Sequence, residues 1–320
     1  MLFPGRCIDS HGHCTIAEEF TRNERAEVMK VAVIGANGQL GQDVTAAFRA
    51  AEHEVAALTH SEIEISSPES VQRVLGGLRP DLVVNTAAFH NVDKCESEAD
   101  PAFRVNSLGA RYLAQSAREL QAKLVHISTD YVFDGRKRSP YLESDSPHPL
   151  NVYGNSKLAG EFFVMNGTPR HFVVRVSGIY GRHLCRAKGS PNFVETMLAR
   201  GAKGEMIRMV DDQFVTPTPT AEIAQQVAAL AATEEYGLYH ATSEGSCSWY
   251  EFTRTIFELA GMNVDVHPIK SGDSGRAAIR PAYSVLENAA LKSKSMNLFR
   301  HWRVGLENYL IERAQTQPQA

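Results

Sequence analysis

A glycine triplet set directly behind an apolar run restricts this chain more than any other feature. Val31–Ile34 reads as a short buried strand, and Gly35, Gly38 and Gly41 follow it at the spacing GxxGxxG, ahead of a helical pattern through Val44 and Phe48. In such a strand–loop–helix unit the first glycine permits a tight turn, and the second lets the backbone approach a pyrophosphate. The third lets helix pack on strand, while the helix N-terminus offers free N–H groups. A plain glycine-rich turn is the competing reading, and the strand before and helix after weigh against it.

Four further apolar runs, Glu54–Leu58, Asp81–Val84, Lys123–Ile127 and His171–Val174, alternate with helical patterns. That alternation predicts an α/β fold with a doubly wound parallel sheet, its strands covered on both faces. Ser67 before Pro68 and Asp100 before Pro101 place capping side chains ahead of a proline, so helices should start there. Past Val176 the pattern becomes irregular. Ser248 with Glu251 forms a capping box ahead of Phe252, Ile256 and Leu259, and Trp302 with Leu306 and Leu310 reads as core. The expected division is a nucleotide-binding domain over 29–176, to which part of the later chain could return, and a smaller lobe over 177–320.

Residues 1–28 extend neither pattern and read as a disordered leader. Cys7, His11, His13 and Cys14 within it match no tetrahedral metal spacing. The five cysteines are scattered, which suits a reducing cytoplasm. A formal charge of -4 with interspersed signs argues against nucleic acid and against a polybasic membrane anchor. No apolar run reaches the roughly 18 residues of a membrane span.

Tyr153 and Lys157 lie four positions apart, on one face if helical, downstream of a strand that ends at Thr129. An ammonium beside a phenol should draw its pKa down from about 10, and the phenol can then protonate a carbonyl being reduced. Thr129 would donate a second hydrogen bond to the same oxygen. Where the second strand ends, no carboxylate stands at Thr59 to hold a ribose 2′-hydroxyl; His60 and Ser61 could instead meet a 2′-phosphate. The expectation is NADPH, with NADH left open by the nearby Glu62 and Glu64. His126, alternating inside an apolar run, reads as a core or cleft-wall residue.

Taken in order, these motifs resemble the extended short-chain dehydrogenase/reductases and, within them, the dTDP-4-dehydrorhamnose reductase family. The resemblance runs from Met29 to about Leu310. It includes Asn85, Asp93, Lys94 and Glu96, the stretch Ser128–Phe133, Leu150–Gly154, Asp212 with Gln213, Pro217 with Thr218, and Arg280, Pro281 and Ser284. It implies a Rossmann fold with a C-terminal substrate-binding lobe and a nucleotide-sugar substrate. Thr129, Tyr153 and Lys157 match the catalytic trio, Lys157 also holding the nicotinamide ribose. Gly38, Gln39 and Leu40 match the phosphate loop, to which Gly35, Asn37 and Gly41 also belong, and Glu64 and Ile65 match the adenine side, near the His60 read above as a cofactor contact. Ala87 and Ala88 match a strand-end wall, Asn106 an asparagine that supports the lysine, and Asp130 beside Thr129 a sugar contact; Tyr131 is a cleft-lining candidate. Gly178 stands where the family usually has tryptophan on the substrate side. Some members bridge a homodimer through magnesium; only Asp43 matches an acidic position involved and Ala289 replaces another, so no metal is expected.

Two rival readings share this fold. One is a non-catalytic regulatory subunit like that of methionine adenosyltransferase, which would not need the intact trio. The other is a sugar-nucleotide epimerase or dehydratase. A dehydratase usually pairs acidic residues after the catalytic threonine, where this chain has Asp130 and Tyr131.

Overall fold

The computed structural model describes residues 28–183 and 191–316. The expected leader, except Val28, lies outside them with its Cys7, His11, His13 and Cys14, as does Cys185.

Five parallel strands carry the first half: β1 (Lys30–Ile34), β2 (Glu54–Leu58), β3 (Leu82–Asn85), β4 (Lys123–Thr129) and β5 (His171–Val176). A sixth strand, Gly237–His240, pairs in parallel with β5, and the sheet runs from it through β5, β4, β3 and β1 to β2. Side chains alternate between faces along each strand. Val31 and Val33 therefore join Phe48 of α1 (Gln39–Ala50) on one side. Ala32 and Ile34 join Leu75 of α2 (Pro68–Leu78) on the other. Both faces are dry, as the unbroken apolar runs require, and each fully buried Val or Leu contributes roughly 1.5–3 kcal/mol.

Between β3 and β4 lie α3 (Val92–Ser97), α4 (Ala99–Phe103), a π-helical turn Arg104–Gly109, and α5 (Ala110–Glu119). Helix α6 (Val152–Gly167) follows β4. Ser67 caps α2 as expected, accepting the Ser70 N–H at 3.1 Å with Pro68 in the first turn. Asp100 does not cap. Glu98 both ends α3 and starts α4, so the chain has already turned helical at Ala99 and Asp100 sits inside the first turn.

The second half contributes α7 (Phe193–Ala202), α8 (Thr220–Ala231), α9 (Trp249–Leu259) and the C-terminal helix Trp302–Thr316, with short paired strands between. Helix α8 packs on α1 in the face lined by Ile223 and Val227. The remaining elements enclose a separate core of Tyr180, Met197, Phe252, Ile256, Trp302 and Leu306. Both halves of the capping box form: Ser248 accepts the Glu251 N–H at 3.1 Å and Glu251 accepts the Ser248 N–H at 2.7 Å.

The chain builds outward from β1 to β2 and then returns to place β3 on the other side of β1. Loops from neighbouring strands therefore diverge at the carboxyl ends of β1 and β3, where ligands bind in such sheets.

Candidate active site

At that switch point Gly35 adopts φ +76, and a Cβ there would lie 2.9 Å from the Ala87 nitrogen, so only glycine lets the two loops abut. Gly38 is the N-cap of α1 and brings no capping side chain, which leaves first-turn N–H groups for an anion. The buried Nε2 of Gln39 has no hydrogen-bond partner in the protein. A buried donor without a partner costs about 1–3 kcal/mol. An orphaned donor beside an uncapped helix and a glycine cradle fits the phosphates of a dinucleotide. Asn37 and Leu40 share this loop, with Leu40 buried beneath it, and Ala87, followed by Ala88, borders it just beyond β3.

The loop after β2, where the adenosine side is expected, is more ordered internally than the sequence suggests. Glu62 accepts from the Thr59 hydroxyl and, at 2.7 Å, from the Thr59 N–H, and these bonds hold its carboxyl below the usual range. The His60 imidazole contacts Glu64 at 2.6 Å while remaining highly exposed. Glu64 also accepts the Ser66 N–H at 2.8 Å. Ile65 is buried against Gly109.

Asn151 starts α6 by accepting the Gly154 N–H at 2.8 Å, which sets Tyr153 in the first turn and Lys157 one turn later. Tyr153 lies edge-on to Tyr131, with ring centroids 5.9 Å apart. Its phenol is pushed well above its ordinary pKa, chiefly by burial and only partly offset by the nearby Thr129 hydroxyl. The expected depression by Lys157 is therefore not what the protein shows. The lysine amine turns toward the sheet, donating to the Ile127 carbonyl at 2.6 Å and lying 3.3 Å from His126 Nε2. Burial draws Lys157 itself down to about 8. A phenol that keeps its proton throughout the neutral range is poised as an acid rather than a base.

Asn106 does not reach the lysine either. Its side chain accepts the Phe89 N–H at 2.8 Å, donates to the Phe89 carbonyl at 3.0 Å, and donates to Ser156 at 2.9 Å. It anchors the loop after β3 to α6, beside the residue that precedes Lys157.

Asp130 is buried beside Thr129, accepting from the Thr129 hydroxyl and from Ser177, both at 3.0 Å. Burial outweighs these bonds and pushes its carboxyl up to about 6 from 3.8. A carboxyl raised in the folded state contributes stability below its unfolded pKa and loses it as pH rises through the folded value. Wild-type stability relative to Asp130→Asn should accordingly fall by on the order of 2 kcal/mol between about pH 4 and 6, then level off. Urea unfolding of both proteins across that range is the check, and a flat difference would contradict a buried, raised carboxyl.

Beside Tyr131 stands positive charge from Arg280 and Arg276. Arg280 also forms an ion pair with Asp93 of α3 at 2.8 Å, which helps hold that carboxyl at about 2. The pair ties the C-terminal part of the chain to α3. Behind the site, Arg175 of β5 and Glu161 of α6 form a fully buried pair at 2.7 and 2.9 Å, and Ser128 donates to the same carboxylate at 2.5 Å. Sequence reasoning missed this network: each member is an ordinary polar residue in its own segment, and only the packing of α6 on β4 and β5 joins them.

Gly178 has φ +55, and a Cβ there would lie 2.9 Å from the Thr216 carbonyl oxygen. A tryptophan at this backbone conformation would be strained, so the missing indole is built into the local fold. Asp43 is engaged by Thr220 at 2.5 Å and by His183 at 3.4 Å. Among the described residues no group of three His, Cys, Asp or Glu side chains converges as a metal site.

A parallel sheet whose glycine loop suits a dinucleotide, with Thr129 at the end of β4 and Tyr153 and Lys157 on the following helix, defines an extended short-chain dehydrogenase/reductase. Residues 29–315 match the family described as the RmlD substrate binding domain. The spore coat polysaccharide biosynthesis protein SpsK of Bacillus subtilis (strain 168) is 40% identical over 285 residues, covering 89% of this chain and 98% of that protein. The dTDP-4-dehydrorhamnose reductase of Streptomyces griseus is 38% identical, covering 86% and 90% respectively. The crystal structure of dTDP-4-dehydrorhamnose reductase from Bacillus anthracis str. Ames in complex with NADP superposes with a TM-score of 0.85 at 38% identity, over 89% of this chain and 99% of that one. The chain belongs to the RmlD family, which includes the dTDP-4-dehydrorhamnose reductases.

Proposed function

We propose that this chain is an NADPH-dependent reductase of a nucleotide-linked 4-keto-6-deoxy sugar, converting dTDP-4-dehydrorhamnose to dTDP-L-rhamnose. The observation that carries the reading is the placement of Tyr153: it stands in the first turn of α6, one turn before Lys157 and edge-on to Tyr131, beside the end of β4 and near a loop suited to a dinucleotide. The named reductases among its relatives support the substrate class. When bound, NADPH supplies the hydride. Tyr153 delivers its proton to the C4 oxygen while Thr129, turning its hydroxyl proton from Asp130, donates a hydrogen bond to the charge developing there. Lys157 holds the nicotinamide ribose, and Asp130 and Tyr131 meet the sugar. Arg276 and Arg280 place positive charge where a diphosphate would benefit from it. In this reading residues 29–176 serve mainly the cofactor and 177–320 mainly the sugar, and the enzyme works in the cytoplasm, as a homodimer or alone. No helix among the described residues is long and apolar enough to cross a membrane.

A label distinguishes this reading from its rivals. With deuterium on the transferable position of NADPH, the reductase places it on C4 of the product sugar. An epimerase returns a sugar-derived hydride and leaves the cofactor unconsumed, and a regulatory subunit moves no label; either outcome would overturn the proposal.

Cofactor choice follows from the loop after β2. With His60 and Ser61 at the adenosine ribose and no carboxylate at Thr59, NADPH should bind more tightly than NADH. His60→Asp should reverse that order by repelling the 2′-phosphate. Fluorescence titration of both cofactors checks this; equal affinities, unchanged by the substitution, would remove His60 from the site.

A further inference from the structure

His126 is buried between Asn85 and Lys157, and the reductase reading makes no use of it. We propose that His126 is a positioning residue for Lys157: Asn85 fixes the imidazole so that its Nε2–H faces the lysine amine, and the ring thereby sets how firmly Lys157 holds its proton. The geometry of the pair stands without the reductase reading; only its effect on turnover rests on it.

The argument begins with the amide of Asn85, at the end of β3. Its Oδ1 accepts the Ala87 N–H at 3.1 Å, which turns Nδ2 toward His126 Nδ1, also at 3.1 Å. An amide nitrogen only donates, so Nδ1 must accept, and a neutral ring then carries its proton on Nε2. Burial and the neighbouring lysine keep the ring neutral, well below its usual pKa. Nε2 lies 3.3 Å from Lys157 Nζ. An N–H at that distance opposes an ammonium and suits an amine, whereas a lone pair would do the reverse. The Ile127 carbonyl, 2.6 Å away, is the group that welcomes the ammonium.

The other charged groups around Lys157 do not reverse this. Glu161, one turn further along α6, favours the ammonium. Its carboxylate, however, is already shared between Arg175 of β5 and Ser128 of β4. Tyr153, one turn earlier on α6, is a neutral phenol. Burial draws the lysine down to about 8 from its ordinary value above 10, and the facing imidazole N–H acts in the same direction. In the free enzyme the loss of its proton appears as the basic limb of kcat/KM for NADPH.

Asn85→Asp tests the relay. A carboxylate there can accept both the Ala87 N–H and a proton on Nδ1, which leaves the Nε2 lone pair facing Lys157. The basic limb should then move up by roughly one pH unit. Because the new charge acts on the lysine directly as well, the same substitution is made in His126→Leu, where no ring can relay it and the limb should move far less. Imidazole nitrogen NMR reads the tautomer without any turnover. The signal lost in His126→Leu should show a bare Nδ1 and protonated Nε2 in the wild type, and the opposite in Asn85→Asp. If His126→Leu does not fold, wild type and Asn85→Asp still suffice, since just one of the 12 histidines should exchange tautomer. A wild-type ring protonated on Nδ1, or an equal shift with and without the ring, would overturn the proposal. A protein that shows the expected tautomers but no turnover would instead sink the reductase reading alone.

Discussion

Tyr153→Phe should lower turnover by roughly a hundred- to ten-thousand-fold, the contribution of a positioned general acid. The substitution keeps the ring and its edge-on packing against Tyr131, so the fold and NADPH affinity should survive. A hydride cannot add productively to the keto sugar unless the carbonyl oxygen is protonated, and the buried phenol is the group holding a proton at neutral pH. Lys157→Met should differ in kind. It should reduce turnover and also weaken NADPH binding, because the amine is expected at the nicotinamide ribose. Turnover and cofactor affinity under saturating sugar separate the two variants. Near wild-type turnover in Tyr153→Phe would mean that the proton comes from elsewhere.

The second large effect is on stability. Glu161→Ala should cost about 3–5 kcal/mol, because it strands the Arg175 guanidinium in the interior. Glu161 is 0% and Arg175 2% exposed, and the remaining neighbours of the cation are the Phe133 ring at 5.1 Å and His240 Nε2 at 3.4 Å. Neither can replace a carboxylate. The double variant Glu161→Leu with Arg175→Leu should recover much of that loss, since a buried pair offsets little more than its own desolvation. Urea midpoints of the single and double variants test both statements. A loss below about 1 kcal/mol in Glu161→Ala would indicate that water reaches the arginine.

What the sequence made legible was local. The glycine loop was readable because the turn, the close approach and the helix start all depend on residues within one short segment. Ser67 and the Ser248–Glu251 pair were readable for the same reason. Asp100 misled because Glu98, shared by two consecutive helices, had already fixed the turn. The strand Gly237–His240 was hidden: it is four residues long and acquires its identity by pairing with β5, more than sixty positions earlier in the chain. In the site, helical spacing placed Tyr153 and Lys157 on one helix, but the sign of the tyrosine shift could not follow from spacing. It is decided by burial, and by the lysine turning to the Ile127 carbonyl, both consequences of how α6 lies on β4. His126 looked like a core residue and is one; its contact with Lys157 comes from a neighbouring strand and a later helix.

The most direct test of the account is cofactor oxidation by the purified protein mixed with NADPH and dTDP-4-dehydrorhamnose. The account predicts steady consumption of one NADPH per sugar reduced, with dTDP-L-rhamnose as product and the rate collapsing in Tyr153→Phe. A protein that binds both ligands yet leaves NADPH unoxidised would contradict it.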